Sequence, residues 1–155
     1  MSEALVSFRR QSIFRLNEKL EHLSICFEQL TAEDIWWRPN PASNSIGNLI
    51  LHLCGNIRQY IISSLGHFPD TRDRDAEFAV VGGWSAEELF QEIAGTIQEA
   101  SKVIDQASER ELLRTRSVQG FDFDGLGIVI HVVEHLSYHT GQIAYITKMR
   151  QAKNL

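Results

Sequence analysis

The sequence predicts an all-α protein, a four-helix bundle with long connections after the second and third helices. Its 155 residues are a suitable length for one globular domain, so we expect residues 1–155 to form a single domain. Apolar residues recur at steps of three and four over four long segments, which is the period of an amphipathic helix. Four such helices pack most economically around one shared core.

The first two helices are separated by a segment that breaks the helical pattern. Helix one is predicted over residues 3–30, where apolar residues line one face. Pro39 and Pro41 follow, and proline inside a helix removes a hydrogen bond and clashes with the preceding turn. Helix two then runs over about residues 45–65, and Gly66 is a suitable residue for its end.

The third and fourth helices each follow a long connection. Residues 67–83 form a polar connection, after which Ser85 and Glu88 make a capping-box pattern that opens helix three. Residues 108–125 are predicted to be an irregular crossover or a short extended piece. Helix four covers about residues 124–150.

Composition argues against several kinds of partner. The 20 acidic and 15 basic residues give a net charge of −5, and the basic residues are scattered, which disfavours nucleic acid. The N-terminus lacks the apolar core of a secretory signal, and no apolar run is long enough to cross a bilayer, so we expect a cytoplasmic protein with no membrane partner. Cys26 and Cys54 form no metal or disulfide motif and are expected to be reduced and buried.

Three histidines in the fourth helix, His131, His135 and His139, follow one another at four-residue spacing. A rise of about 1.5 Å per residue separates the outer two by about 12 Å, so one ion cannot bind both. Adjacent members lie on the same face one turn apart and can converge on one ion with bonds of about 2.0–2.1 Å. The candidate pairs are therefore His131 with His135 and His135 with His139.

A third ligand is expected from the inner face of another helix. His52 lies beside the inward-facing residues Leu49 and Leu53 of helix two. An unpaired imidazole in an apolar stripe costs about 1–3 kcal/mol, so histidines on facing stripes indicate a shared ion. Neutral nitrogen ligands suit a divalent transition metal, zinc or nickel first and then iron, cobalt or copper. Three protein ligands also leave a coordination position for water or substrate, as in a catalytic site.

Two polar residues lie close to these histidines in the sequence. Asn56 follows His52 by one turn, and Gln142 follows His139 by three residues. Both could orient a ligand or contact a bound substrate, or they could make an interhelical hydrogen bond instead.

An aromatic stretch, Trp36 and Trp37 followed by Arg38, precedes helix two. Trp37 and Arg38 could form the mouth of the site, with Arg38 binding a carboxylate, whereas an aromatic pair more often closes the end of a bundle. Tyr60 and Tyr138 are expected in the core. No residue stands out as a general base, so the sequence predicts no particular catalytic residue.

Two motifs resemble the DinB/YfiT-like superfamily of metal-binding four-helix bundles: the segment SIGNLILHL, which contains His52, and the pattern HxxxHxGQ, which begins at His135. The WWRPNP loop is also similar, and the resemblance covers nearly the whole chain. It implies that His52, His135 and His139 are the three metal ligands and that His131 is not one. It also implies an up-down-down-up order of the helices and frequent homodimers.

The resemblance implies an enzymatic function and leaves alternatives. It implies a transferase or isomerase in which the metal activates a low-molecular-weight thiol, such as bacillithiol, mycothiol or glutathione, for reaction with a small-molecule substrate. A metal-dependent hydrolase is the nearest alternative, and a non-catalytic, stress-related homodimer that binds metal or ligand is another. The RDRDAEF stretch, residues 72–78, is similar to a loop in uncharacterised members and has no predicted role.

Overall fold

Helices account for most of the protein. The computed structural model describes residues 2–152, and its four long helices are α1 (Glu3–Phe27), α3 (Ile46–Ile57), α5 (Ala86–Gln106) and α7 (Gly125–Gln151). The shorter elements are α2 (Ala32–Trp36), a π-helical continuation of α3 (Arg58–Leu65), α4 (Arg74–Ala79), α6 (Glu109–Leu113), and the antiparallel strands β1 (Arg116–Val118) and β2 (Phe121–Phe123). Within residues 2–152, no helix is both long and apolar enough to cross a membrane. The predicted all-α bundle is confirmed.

The long helices begin close to the predicted residues because local caps define their first turns. Ser85 accepts a hydrogen bond from the Glu88 backbone, and the Glu88 side chain accepts one from the Ser85 backbone, which is the predicted capping box. Ser45 and Asn48 make the same arrangement at the start of α3, and Asp124 caps α7. These caps satisfy amide groups that have no partner within the helix, so a few residues are enough to recognise each start.

Each long helix packs against two others. Both α1 and α3 contact α5 and α7. Arg9, near the start of α1, donates a hydrogen bond to the carbonyl of Asp105, near the end of α5, so these two helices are antiparallel. Arg150, near the end of α7, pairs with Asp34, which lies just beyond the end of α1. The helices α1 and α7 are therefore parallel.

The helices α3 and α7 are antiparallel neighbours. His52 of α3 is adjacent to His135, and Asn56, one turn further along α3, is adjacent to His131, one turn earlier in α7. In chain order the four long helices therefore run up, down, down and up, which is the order that the resemblance implies.

One hydrophobic cluster joins the buried apolar residues of all four long helices. Leu49, Leu53 and Tyr60 are buried as predicted, and both cysteines are buried and free. Tyr138 differs from the prediction, because it is 64% exposed. It is the residue before His139, and a step of about 100° around the helix turns its side chain towards solvent.

The connections are more ordered than predicted. Helix one ends at Phe27, three residues early, and the polar connection before helix three contains α4. Residues 108–125 contain α6 and a β-hairpin, whose turn residues Gln119 and Gly120 have φ angles of 53° and 82°, as in a two-residue type I′ turn. Elements of only a few residues escape prediction because apolar periodicity is recognisable only over a longer window.

Candidate metal centre

Three imidazoles from two helices converge inside the bundle. One nitrogen from each of His52, His135 and His139 lies within 4.8 Å of the other two. The Nε2 atoms of His135 and His52 are 2.9 Å apart. Two metal–nitrogen bonds of 2.0–2.1 Å that meet at about 90–110° would place their nitrogens roughly 2.8–3.4 Å apart. The spacing of this pair therefore fits the coordination of one ion.

Helical spacing explains why two of these residues come from α7. His139 follows His135 by one turn, and their ring centroids are 4.5 Å apart. The ring of His52, arriving on the facing helix α3, is 5.0 Å from that of His135 and 5.1 Å from that of His139. Of the two pairs that the spacing alone left open, His135 and His139 are the pair that faces His52.

His131 lies one turn away from the three converging histidines and makes other contacts. Its ring stacks on Tyr60 with centroids 4.3 Å apart, and it stacks on His135 at 5.6 Å. Its Nε2 atom is 3.5 Å from Nδ2 of Asn56. Tyr60 belongs to the π-helical continuation of α3, so this altered helical turn helps to form the surroundings of the site.

The protonation of the cluster suits metal binding. Burial lowers the pKa of His135 to about 3, and the charges of His139, His52, His131 and Arg72 act in the same direction. Burial also lowers the pKa of His139, although its hydrogen bond with Gln142 partly opposes this effect. Both imidazoles are therefore neutral near pH 7, which is the form that binds a metal.

A buried carboxylate that the sequence analysis missed orients His52. The Oε2 atom of Glu77 is 2.9 Å from Nδ1 of His52, so Nδ1 carries the proton and Nε2 faces the other histidines with its lone pair. Arg72 in turn donates to both carboxylate oxygens of Glu77, from Nε at 2.7 Å and from Nη2 at 3.0 Å. Burial favours a raised pKa for Glu77, but the hydrogen bonds from His52 and Arg72 outweigh it and lower the pKa.

Gly55 makes room for this carboxylate on the surface of α3. A Cβ atom at Gly55 would lie 1.9 Å from Oε1 of Glu77, which is far inside van der Waals contact. Glu77 and Arg72 both belong to residues 72–78, the stretch to which no role was assigned. No helical periodicity marks this stretch, and charge-rich segments are usually solvated, so the sequence contained no clear signal for the contact.

The other polar residues singled out in the sequence lie at different distances from the cluster. Oε1 of Gln142 is 2.7 Å from Nδ1 of His139, which leaves Nε2 of His139 available to an ion. Asn56 is buried next to His131, and its Nδ2 atom is 3.5 Å from Nε2 of that histidine. Gln142 therefore occupies the orienting position that was predicted as one alternative, and Asn56 occupies the neighbouring part of the site.

Trp37 and Arg38 lie towards the end of the bundle where α3 begins. The Trp37 ring centroid is 5.0 Å from the guanidinium of Arg150, near the end of α7. Arg38 donates from Nη2 to Oδ1 of Asn48 at 2.9 Å, and Asn48 precedes His52 by about one helical turn. These contacts are those of a segment that closes a bundle end, which was one of the two predicted roles.

A cavity reaches the cluster from the side. It has a volume of about 350 Å³, and His52 and His135 form part of its wall. Both long connections contribute to it, the first through Arg72 and Arg74 and the second through the hairpin that includes Gln119. We call this space the histidine cavity, and Asn56, Tyr60, Phe121 and Phe123 also form part of its wall.

The fold and the site together define an all-α bundle with a group of three histidines that could hold a metal ion. Residues 4–155 match the family described as "Protein of unknown function (DUF1572)", and the chain therefore belongs to that family. A comparison with the curated proteins finds no match.

Solved structures show the same fold. The chain is similar to a conserved protein from Enterococcus faecalis, with a TM-score of 0.76 and 19% identity over 90% of this chain and 94% of that one. It is also similar to a DinB-like protein from Bacillus cereus (TM-score 0.67, 18% identity, 87% and 86% covered) and to one from Bacillus subtilis (0.67, 15%, 90% and 91%). The DinB-like resemblance found in the sequence is thus confirmed for the fold.

Proposed function

We propose that the protein is a cytoplasmic, metal-dependent enzyme, a transferase or isomerase that uses a low-molecular-weight thiol on a small-molecule substrate. The observation that carries the proposal is the convergence of His52, His135 and His139 on one point beside an accessible cavity. Imidazole nitrogen is a suitable ligand for several divalent transition metals. Zinc and nickel are the first candidates, followed by iron, cobalt and copper.

The residues of the chain would bind and orient the reacting groups. The three imidazoles leave at least one coordination position free, and this position is what distinguishes a catalytic site from a closed structural one. Glu77 keeps the His52 ring in one orientation, and Gln142 does the same for His139. A metal bound there would lower the pKa of a coordinated thiol or water, or polarise a carbonyl. The same residues would also serve a hydrolase, which is the nearest alternative.

Elemental analysis of protein expressed without an affinity tag tests the metal. We expect about one divalent transition metal per chain and its loss in the triple variant His52→Ala, His135→Ala, His139→Ala. Anomalous scattering would then locate the ion and show which coordination positions the protein leaves free. A metal content that the triple variant retains would rule out these ligands.

Thiol ligation tests the chemistry. Titration calorimetry of the metal-loaded protein with glutathione and with bacillithiol should give heat that the triple variant does not give. Protection of the thiol from alkylation provides an independent readout. If the loaded protein and the triple variant are equally inert towards both thiols, the thiol-transferase function is wrong. The metal site is tested separately, by the elemental analysis.

A non-catalytic, stress-related homodimer that binds metal or ligand is the second candidate. Its support is an apolar surface on α7, where Ile130, Tyr138 and Tyr145 are more than half exposed. A homodimer through this surface is compatible with either function, and light scattering with the double variant Ile130→Glu, Tyr145→Glu would test it. Any turnover that His139→Ala abolishes without loss of the fold would exclude the non-catalytic function.

A further inference from the structure

We propose that the histidine cavity binds a small carboxylate with an apolar or aromatic body and a hydrogen-bond donor, and that this molecule is the substrate or the thiol partner of the proposed enzyme. The inference rests on the proposed function only in assigning the molecule that role. Its support comes from the charge, the unpaired polar atom and the walls of the cavity.

The cavity has one positive charge that nothing on its walls neutralises. Its lining contains two arginines and no aspartate or glutamate. Arg72 is balanced by its ion pair with Glu77. Arg74 is exposed, its guanidinium lies 5.3 Å from the ring centroid of Phe78, and no carboxylate within residues 2–152 pairs with it. A guanidinium on the cavity wall with no carboxylate partner is suited to a monoanion, and a carboxylate matches its planar fork.

A buried amide in the cavity wall lacks one hydrogen-bond partner. Asn56 is only 4% exposed, and its Oδ1 atom has no partner in the described part of the chain. Its Nδ2 atom is 3.5 Å from Nε2 of His131, which can satisfy one end of the amide and not both. Buried polar groups are almost always paired, so a donor on a bound molecule would complete this one.

Aromatic rings form the apolar part of the cavity. Tyr60 and Phe123 stand edge to face with centroids 6.0 Å apart, and Phe121 lies 6.5 Å from Phe123. Phe121 is 64% exposed although it lines the cavity, so a ligand would remove part of its ring from water. These rings suit an aliphatic or aromatic body between a charged end and the histidines.

The hairpin turn places the polar side chain of Gln119 at the wall of the same cavity. Gln119 has a φ of 53°, a left-handed conformation that is uncommon for residues other than glycine and asparagine. Its side chain lines the cavity and donates a hydrogen bond to Gln59 of the π-helical segment. The type I′ turn of the hairpin requires this conformation. Gln119 thus adds an amide close to the expected position of the ligand.

Fluorine NMR with three matched probes tests the ligand class. The probes are 4-fluorophenylacetate, its neutral counterpart 4-fluorophenethyl alcohol, and 4-fluoromandelate, which adds a hydroxyl donor to the carboxylate. Each is titrated into zinc-loaded protein and into protein after chelation. The variants are Arg74→Gln, Asn56→Leu and, as a control at an exposed arginine, Arg10→Gln.

The charge comparison decides whether the ligand is an anion. We expect 4-fluorophenylacetate to bind about tenfold more tightly than the alcohol. Arg74→Gln should weaken the carboxylate by roughly fivefold, the upper range for an exposed ion pair, and leave the alcohol unchanged. Arg10→Gln should change neither. Equal binding of the two probes, no binding at millimolar concentration, or no effect of Arg74→Gln would overturn the proposal.

The hydroxyl comparison decides whether Asn56 contacts the ligand. In chelated protein, where no metal can bind the probe, 4-fluoromandelate should bind about fivefold more tightly than 4-fluorophenylacetate, and Asn56→Leu should remove the difference. A difference that persists in Asn56→Leu contradicts this contact. If the carboxylate binds in an Arg74-dependent way but the protein binds no zinc, the anion site is supported and the proposed enzyme is refuted. If the protein binds zinc and thiol but shows no preference for the anionic probe, the enzyme is supported and the anion site is refuted.

Discussion

The two sides of the histidine cluster are held in different ways. His139 is oriented from its own helix by Gln142, three residues further along α7. His52 is oriented by Glu77, which lies 25 residues later in the chain and is itself held by Arg72. The first arrangement follows from helical spacing, whereas the second requires a connection to fold back over α3.

This difference has energetic consequences. On the α3 side, the side chains of Arg72 and Glu77 are only 4% and 9% exposed, so loss of either partner leaves a charge buried without compensation. On the α7 side, His139 and Gln142 are half-buried, and water can replace a lost hydrogen bond. Substitution of the orienting residue should therefore have a larger effect on the α3 side, at Glu77, than on the α7 side, at Gln142.

The largest effect is expected at His135, because it is one of the three converging imidazoles and not a residue that orients one of them. His135→Ala removes a ligand, so zinc affinity should fall by more than the roughly 10–100-fold that loss of an orienting partner causes. Competition with a chromophoric chelator measures the change, and His22→Ala, at an exposed histidine, is the control. Chelation should lower the melting temperature of the wild type and not that of the variant. Unchanged zinc affinity in His135→Ala would exclude a three-histidine site.

The next effect is expected at Glu77. Glu77→Gln should lower the free energy of unfolding of metal-free protein by about 3–5 kcal/mol, because it leaves the buried Arg72 charge unpaired. Zinc affinity should fall roughly 10–100-fold, because the His52 ring loses its orienting partner. Urea denaturation and zinc competition measure the two quantities, with Glu134→Gln on the exposed face of α7 as the control. Equal behaviour of the two variants would show that the carboxylate has no special role.

Replacing Gly55 by alanine tests whether the Glu77 carboxylate occupies the space beside it, because the substitution should then lower the free energy of unfolding instead of raising it. Alanine in place of glycine inside a helix normally stabilises by about 0.5–1 kcal/mol, and we expect this for Gly95→Ala in α5, where a Cβ meets nothing within 4 Å. Gly55→Ala should instead destabilise the protein and weaken zinc binding, because its Cβ would displace the Glu77 carboxylate. Stabilisation by both substitutions would mean that Glu77 does not occupy this position.

A smaller effect is expected on the α7 side. Gln142→Leu should reduce zinc affinity by about tenfold or less, at the lower end for orienting residues, and change the free energy of unfolding by no more than about 0.5 kcal/mol. The same zinc competition and urea denaturation apply. An effect equal to that of Glu77→Gln would contradict the difference between the two sides.

A further effect is expected in the pH dependence of the metal-free protein. The pKa of His135 is lowered from 6.5 to about 3 in the folded state, so below pH 6.5 the unfolded state binds more protons than the folded state. Stability should therefore fall as the pH decreases from about 7.5 to 5.5, a range above that in which Glu77 titrates. The variant His135→Asn should show a shallower decrease in urea denaturation. A slope identical to that of the wild type would contradict the lowered pKa.

Much of the fold and half of the site were predictable because they depend on residues close together in the chain. The caps at Ser45, Ser85 and Asp124 mark helix starts. The four-residue spacing of His135 and His139 places both on one helix face. The outward orientation of Tyr138 was missed, although the same helical geometry explains it.

The sequence by itself determined the four long helices and the histidine face of α7, because periodicity and capping act within single helices. Only the tertiary structure decided that residues 72–78 supply the partner of His52, that Gly55 makes room for it, and that the hairpin turn lies over the histidine cavity. Those contacts join residues far apart in the chain, and no local preference encodes such a contact until the packed helices bring its two sides together.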